Sequence, residues 1–160
     1  MKAADVMTRE VLKVFPDTPI QEIAKIIHEH RISGVPVVTK GDEIVGIVTE
    51  GDLIIKLARP HMPPHIEILG GIFYLRRPQD MDEELKKITA VLARDIMTEK
   101  VITVTEECEI EDIASIMVSK KINHIPVVRE GKLVGIVSRG DLIDTMVEKH
   151  KDDNEIPDAP

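Results

Sequence analysis

Apolar residues fall at Ile20, Ile23, Ala24 and Ile27, the i, i+3, i+4, i+7 spacing of one helical face, and Ile110, Ile113, Ala114 and Met117 repeat it. Each face is followed by β-branched apolar runs. Val35–Thr39 and Ile44–Thr49 flank the short polar turn Lys40-Gly41-Asp42-Glu43, which predicts a hairpin. A second helix should start at Gly51. Ahead of the first helix, Val11, Leu12 and Val14 read as a short strand, and Thr18-Pro19-Ile20-Gln21 supplies a capping Thr, a Pro at the first helical position and a Gln three residues on. The order is therefore strand, helix, strand, strand, helix.

Laid over itself at an offset of 90, the chain matches Asp5-Val6-Met7-Thr8 with Asp95-Ile96-Met97-Thr98, and Pro36-Val37-Val38 with Pro126-Val127-Val128. After a one-residue shortening near Gly131, Val45-Gly46-Ile47-Val48 meets Val134-Gly135-Ile136-Val137, and Gly51-Asp52-Leu53-Ile54 meets Gly140-Asp141-Leu142-Ile143. The chain is an internal duplication. A unit of about 50 residues cannot bury a three-stranded sheet alone, so two β-α-β-β-α repeats, an α+β (α/β) fold, are expected to pack through their sheets about a pseudo-twofold axis. The expected limits are 1–57 for the first repeat, 58–92 for a helical insert, 93–147 for the second repeat and 148–160 for an acidic disordered tail. Within the insert, His65–Leu75 is apolar, and Met81, Leu85, Ile88 and Leu92 give Asp80–Leu92 an amphipathic helical pattern.

Lys and Arg number 21 against 29 Asp and Glu, a formal net charge of −8, which argues against a general binder of phosphate backbones. Aromatic residues are 2% of the chain, too few for base-stacking platforms. The single cysteine, Cys108, cannot form an internal disulfide, and neither a signal peptide nor a membrane span is legible, so a cytoplasmic protein is expected. His28-Glu29-His30 does not place its histidines on one helical face, and Pro63-Pro64 interrupts His61 and His65, so no metal site is read there. Cys108 aligns with Thr18 at a helix start and reads as a small capping-site residue rather than a redox switch. No phosphate-binding glycine loop or nucleophile elbow occurs, and no candidate base is paired with a nucleophile.

The most informative segments are Gly46-Ile47-Val48-Thr49-Glu50-Gly51-Asp52 and Gly135-Ile136-Val137-Ser138-Arg139-Gly140-Asp141. Each sets a hydroxyl and, three residues later, a carboxylate at a strand-to-helix junction. Two readings fit: a capping box that needs no ligand, or a carboxylate that accepts both hydroxyls of a ribose beside free backbone N–H groups.

The duplication, Asp-x-Met-Thr, the apolar-Pro-Val-Val strand and Gly-Ile-Val-[Thr/Ser]-x-x-Asp-Leu together resemble a tandem pair of CBS domains, a Bateman module, over residues 4–57 and 93–147. The resemblance implies a non-enzymatic regulatory module. It requires no cofactor, and binds AMP, ADP, ATP or S-adenosylmethionine in two clefts between the sheets, as in energy sensing. It further implies a homodimer acting on a regulated protein that the sequence does not name. Carried over by position, Thr49 and Asp52 would hold one ribose, with Asn123, His124 and Ile125 framing adenine and phosphates and Thr98 near the phosphate. The other cleft would use Ser138 and Asp141 with Ser33, Gly34, Val35 and Thr8, and Arg139 if it points inward. His124 stands where the other copy has Gly34, so the clefts should be unequal, His124 favouring phosphate as it protonates. The alternative is a structural or oligomerisation module whose clefts stay empty.

Overall fold

The computed structural model describes residues 1–57, 65–68, 71–74 and 90–152. The elements are α1 (Ala3–Val6), α2 (Ile20–His30), β1 (Gly34–Val38), β2 (Ile44–Thr49), α3 (Glu50–Leu57), β3 (His65–Ile68), β4 (Gly71–Tyr74), α4 (Ala93–Ile96), α5 (Ile110–Lys120), β5 (His124–Arg129), β6 (Lys132–Ser138) and α6 (Arg139–Asp152). β1 pairs with β2, β3 with β4 and β5 with β6. Two compact units result, and they do not simply follow the two repeats. One holds Met1–Leu12, Val38–Ile44 and Lys100–Pro160; the other holds Lys13–Val37 and Val45–Glu99.

In the unit built around the first repeat, α2 buries Ile20, Ile23 and Ile27 against Val35, Val37 and Val48 of the hairpin, while Ala24, on the same face by spacing, stays exposed. The core is completed by Ala90, just before the second repeat, and by Ala93 and Ile96 from its first residues. The segment around α4 also supplies backbone: the Ile20 N–H donates to the Val91 carbonyl at 3.0 Å, so one orphan donor at the start of α2 is satisfied there. Thr18 does not cap the helix as its position suggests. Pro19 is the N-cap residue, and the Thr18 hydroxyl instead accepts the Phe15 N–H at 3.0 Å, closing the turn ahead of it. The expected first strand is reduced to one parallel bridge, Val14 to Val37, because the chain turns at Pro16-Asp17 directly after it. Val104 to Val127 repeats this in the second copy.

The other unit has the same plan. Ile113 and Met117 of α5 pack with Ile125, Val127 and Val137 of the second hairpin and with Ala3 and Met7 from the chain's first residues. The Ile110 N–H donates to the Met1 carbonyl at 3.0 Å, as Ile20 does to Val91. The second hairpin turns through Glu130 and Gly131, both at positive φ (51° and 79°), the backbone that lets a two-residue loop match strand twist. The tip of the first hairpin also belongs here: Glu43 bridges Lys132, and the Leu133 N–H donates to the Asp42 carbonyl at 2.9 Å.

The Asp-x-Met-Thr motif is legible as construction. Asp5 accepts the Lys2 N–H at 2.8 Å and Asp95 accepts the Leu92 N–H at 2.9 Å, each tying the start of a four-residue helix. Met7 and Met97 lie against Gly135 and Gly46. Thr8 exchanges both backbone hydrogen bonds with Ile136 (2.9 and 3.0 Å), and Thr98 does so with Ile47 (2.9 and 3.1 Å).

Glu106 fastens the same N-terminal segment from outside. Arg129 donates to both of its oxygens (2.6 and 2.8 Å), Arg9 lies 3.7 Å away, and the carboxylate side chain is only 15% exposed. The Arg129 fork above all, then the charges of Arg129 and Arg9, hold its pKa below the ordinary 4.5 against the opposing effect of desolvation. Its contribution to stability is therefore complete above the unfolded carboxylate pKa and is lost as pH falls through the lowered folded value. Thermal melts of Glu106→Gln and the parent should differ by a constant margin between about pH 5 and pH 8, and the margin should close below about pH 4. A margin that survives at the acid end would refute this role.

Two parts of the chain differ from the sequence reading. The insert carries a β-hairpin, with His65 opposite Tyr74 and Ile66 opposite Phe73, rather than being helical throughout. Ile66, Ile68, Ile72, Phe73 and Tyr74 are strand formers by side-chain shape, which explains the outcome. Residues 80–89 of the expected amphipathic helix lie outside the described residues; Leu92, its last residue, is extended and bridges Pro19. At the other end, α6 continues to Asp152, past the expected limit at 147. Glu148-Lys149-His150-Lys151 contains no Gly or Pro to stop it. The remainder of the tail, 153–160, lies outside the described residues.

Candidate ligand-binding site

Thr49 and Ser138 end β2 and β6, and α3 and α6 begin on the next residue. The Thr49 backbone N–H and hydroxyl both donate to Asp52 Oδ2 at 2.9 Å. The Ser138 backbone N–H and hydroxyl donate to Asp141 Oδ2 at 2.7 and 2.8 Å, and the Asp141 N–H returns a bond to Ser138 Oγ at 3.3 Å. Capping geometry is thus present in both copies. It does not exhaust the carboxylate of Asp141: both bonds from Ser138 fall on Oδ2, and Oδ1 retains acceptor capacity among the described residues. Asp52 is 7% exposed, Asp141 somewhat more open.

The backbone ties Ser33 to the Thr49 junction and Asn123 to the Ser138 junction, each within its own repeat, whereas the resemblance pairs each of them with the other repeat's junction. In the unit holding Thr49, Thr98 hydrogen-bonds with Ile47, two residues before Thr49 on the same strand face, and the Glu50 N–H donates to the Ser33 carbonyl at 3.0 Å. Gly34 and Val35, both buried, follow at the start of β1. In the unit holding Ser138, Thr8 bonds with Ile136, and the Arg139 N–H donates to the Asn123 carbonyl at 3.0 Å. His124 is buried and lies directly opposite Ser138 in the β5–β6 register, with Ile125 fully buried beside it. Arg139 is exposed and its guanidinium donates to the Asn123 side-chain oxygen at 3.2 Å. Arg139, Asn123 and Lys121 are the polar residues lining an open groove of about 520 Å³ between α5 and α6, whose walls include Met117, Val118, Ile122 and Ile143.

Sequence reasoning passed over Gly51 and Gly140. A Cβ on Gly51 would meet Thr49 Oγ1 at 3.6 Å, and one on Gly140 would meet Ser138 Oγ at 3.4 Å, so a glycine lies beside the hydroxyl at the same place in both copies. Their presence at the same place in both copies was the available signal. Cys108, by contrast, is not an activated thiol: burial, then the charges of Asp112 and Glu109, push its pKa up. Among the described residues no group of His, Cys, Asp or Glu could hold a metal, and no helix is long and apolar enough to cross a membrane.

The CBS domain model matches residues 3–59 and, again, residues 93–148. The chain belongs to the CBS domain family. A relative across nearly its whole length is an uncharacterized protein of Methanocaldococcus jannaschii, 30% identical over 155 residues and 92% of each chain. The chloroplastic CBS domain-containing protein CBSX1 of Arabidopsis thaliana is 30% identical over 81% of this chain and 56% of its own length. Matches to inosine-5'-monophosphate dehydrogenase of Methanocaldococcus jannaschii involve only 23% of that enzyme's length, against 89% of this chain. Among solved structures, CBSX2 in complex with AMP superposes with a TM-score of 0.76 at 22% identity, covering 92% of this chain and 97% of CBSX2. The CBS domain pair of protein MJ0100, in complex with 5-methylthioadenosine and S-adenosyl-L-methionine, gives 0.70 at 24% identity, covering 93% and 98%. The fold is that of a CBS domain pair.

Proposed function

We propose that this CBS pair is a non-catalytic regulatory module that binds adenosine-containing ligands of the AMP, ADP, ATP or S-adenosylmethionine class at its two hydroxyl–carboxylate junctions and passes occupancy to a partner protein. The observation that carries the reading is the duplicated junction itself: a Ser or Thr hydroxyl bonded to an Asp carboxylate at a helix start, with a glycine between them in both copies. A carboxylate is the acceptor a ribose diol requires, and the adjacent backbone N–H groups suit the 5' phosphate. Solved CBS pairs of the same fold hold AMP, 5-methylthioadenosine and S-adenosyl-L-methionine, which supports the ligand class. Asn123, His124 and Ile125 in one copy, and Ser33, Gly34 and Val35 in the other, are proposed to frame adenine and phosphate, with Thr98 and Thr8 near the phosphate. The module acts as a homodimer in the cytoplasm, and its chemistry ends at binding.

A melting series with AMP, ATP and S-adenosylmethionine tests the reading. A ligand at 100 times its dissociation constant should stabilise the protein by about 2.7 kcal/mol. A melting temperature unmoved by every adenosine compound at millimolar concentration would favour a purely structural module.

A further inference from the structure

The helix pair α5–α6 leaves four large apolar side chains in water: Val118, Ile143, Met146 and Val147 are between 53% and 80% exposed, Val118 the most. Val118 and Ile143 stand on the walls of the groove between the two helices, so this apolar surface is continuous rather than scattered. The first repeat does not build such a face. Lys25, His28 and Glu29 occupy the positions that Ser115, Val118 and Ser119 take on α5, and Lys25 pairs with Glu29 at 3.8 Å along α2. On α5 the middle of that side is small or apolar, and charge is confined to its ends. Glu111 and Asp112 open the helix, Lys120 closes it and Lys121 follows; all four are exposed, and none enters an ion pair among the described residues. This polarity suits the helix dipole, and it also makes the face self-complementary, because a second helix turned end for end brings acid against base. The groove itself has Lys121 and Arg139 on its lining and no carboxylate, so an occupant must bring acid together with apolar residues. α5 carries that combination.

We infer that the outer face of α5 and α6 is an isologous contact on which a second copy of this chain lays its own α5 antiparallel. The inference rests on the homodimer of the proposed function and names its surface. The register follows from the charges: setting Glu111 opposite the second copy's Lys121 also sets Val118 opposite the second copy's Ala114, a small residue on the groove lining. Each large side chain thus meets a small one, and the twofold axis makes every such pairing twice.

Sedimentation velocity of the full chain at low ionic strength, over a range of concentrations, tests the contact, with far-UV circular dichroism checking that each variant is folded. Val118→Glu should raise the dimer dissociation constant roughly a hundredfold by setting a carboxylate into an apolar contact. Ile54→Glu, at an exposed apolar residue of the first repeat, should leave it unchanged. Glu111→Lys and Lys121→Glu should each weaken dimerisation roughly tenfold, since the twofold repeats every like-charge contact, and Glu111→Lys/Lys121→Glu should regain the parent's affinity. A parent dimer that Val118→Glu leaves intact, that Ile54→Glu breaks, or whose charge swap restores nothing overturns this inference and leaves the homodimer to another face. A parent that sediments as a monomer overturns the homodimer and this contact with it, while the adenosine reading depends on neither.

Discussion

Asp141→Ala should lose more than tenfold in affinity for adenosine at its site while its melting temperature falls by only about 2–4 °C, and Asp52→Ala should do the same at the other junction. The contrast comes from two different consequences of removing one carboxylate. As a helix cap, the group contributes about 1 kcal/mol to folding, which for a chain of this size corresponds to the few degrees stated. As the acceptor of a ribose diol, its loss strands two ligand hydroxyls and forfeits roughly 1.5–3 kcal/mol of binding. Titration calorimetry beside thermal melts reads both quantities on the same samples. Variants that melt lower yet bind adenosine as the parent does would reduce Asp52 and Asp141 to the capping role visible in their bonds to Thr49 and Ser138.

A second large effect is expected from adding a single methyl group. A Cβ on Gly135 would lie 2.4 Å from Met7 Sδ and 2.9 Å from its Cγ, and one on Gly46 would meet Met97 at 2.4 and 2.8 Å. Met7 is buried within its core cluster, so the side chain cannot simply swing into solvent. Gly135→Ala is expected to destabilise by about 1–3 kcal/mol through overpacking. Met7→Ala alone should cost about 2–5 kcal/mol through the cavity it leaves. The double variant Gly135→Ala/Met7→Ala should be little worse than Met7→Ala, because the clash and the missing volume coincide. Denaturant melts of the four proteins measure this coupling. Strictly additive losses would mean that Met7 does not fill the space above Gly135.

The repeat told most of this in advance, since Asp5, Met7, Gly46, Gly51 and Asp52 each recur in the second copy and each proves to have a local structural reason. The family, the hairpins and the hydroxyl–carboxylate junctions were legible because they depend on spacing within a few residues. The pairings that depend on distant segments were not. Nothing in the periodicity of Ile20–His30 says that its first N–H bonds to Val91, and nothing in Thr18-Pro19 distinguishes a capping hydroxyl from one turned back to Phe15. The β3–β4 hairpin was masked by an apolar run whose length fits either a strand or a buried helix.

The exchange of leading segments has a consequence for the order in which the chain can become structured. The unit of Lys13–Val37 and Val45–Glu99 contains every part of its own core once Glu99 has left the ribosome. The unit that needs Ala3 and Met7 together with Ile113, Ile125 and Val137 cannot close until the second repeat has been synthesised. Ala3 and Met7, made well before Ile113, Ile125 and Val137, therefore find their places only after those residues have been synthesised. The loop they close spans more than a hundred residues, from Lys2 to Glu107 and Glu109, and loops of that size make for slow, non-local folding steps. Translation, at roughly 5–20 residues per second, thus leaves an interval of seconds in which one half is built and the apolar face of Ala3 and Met7 still waits for its partner.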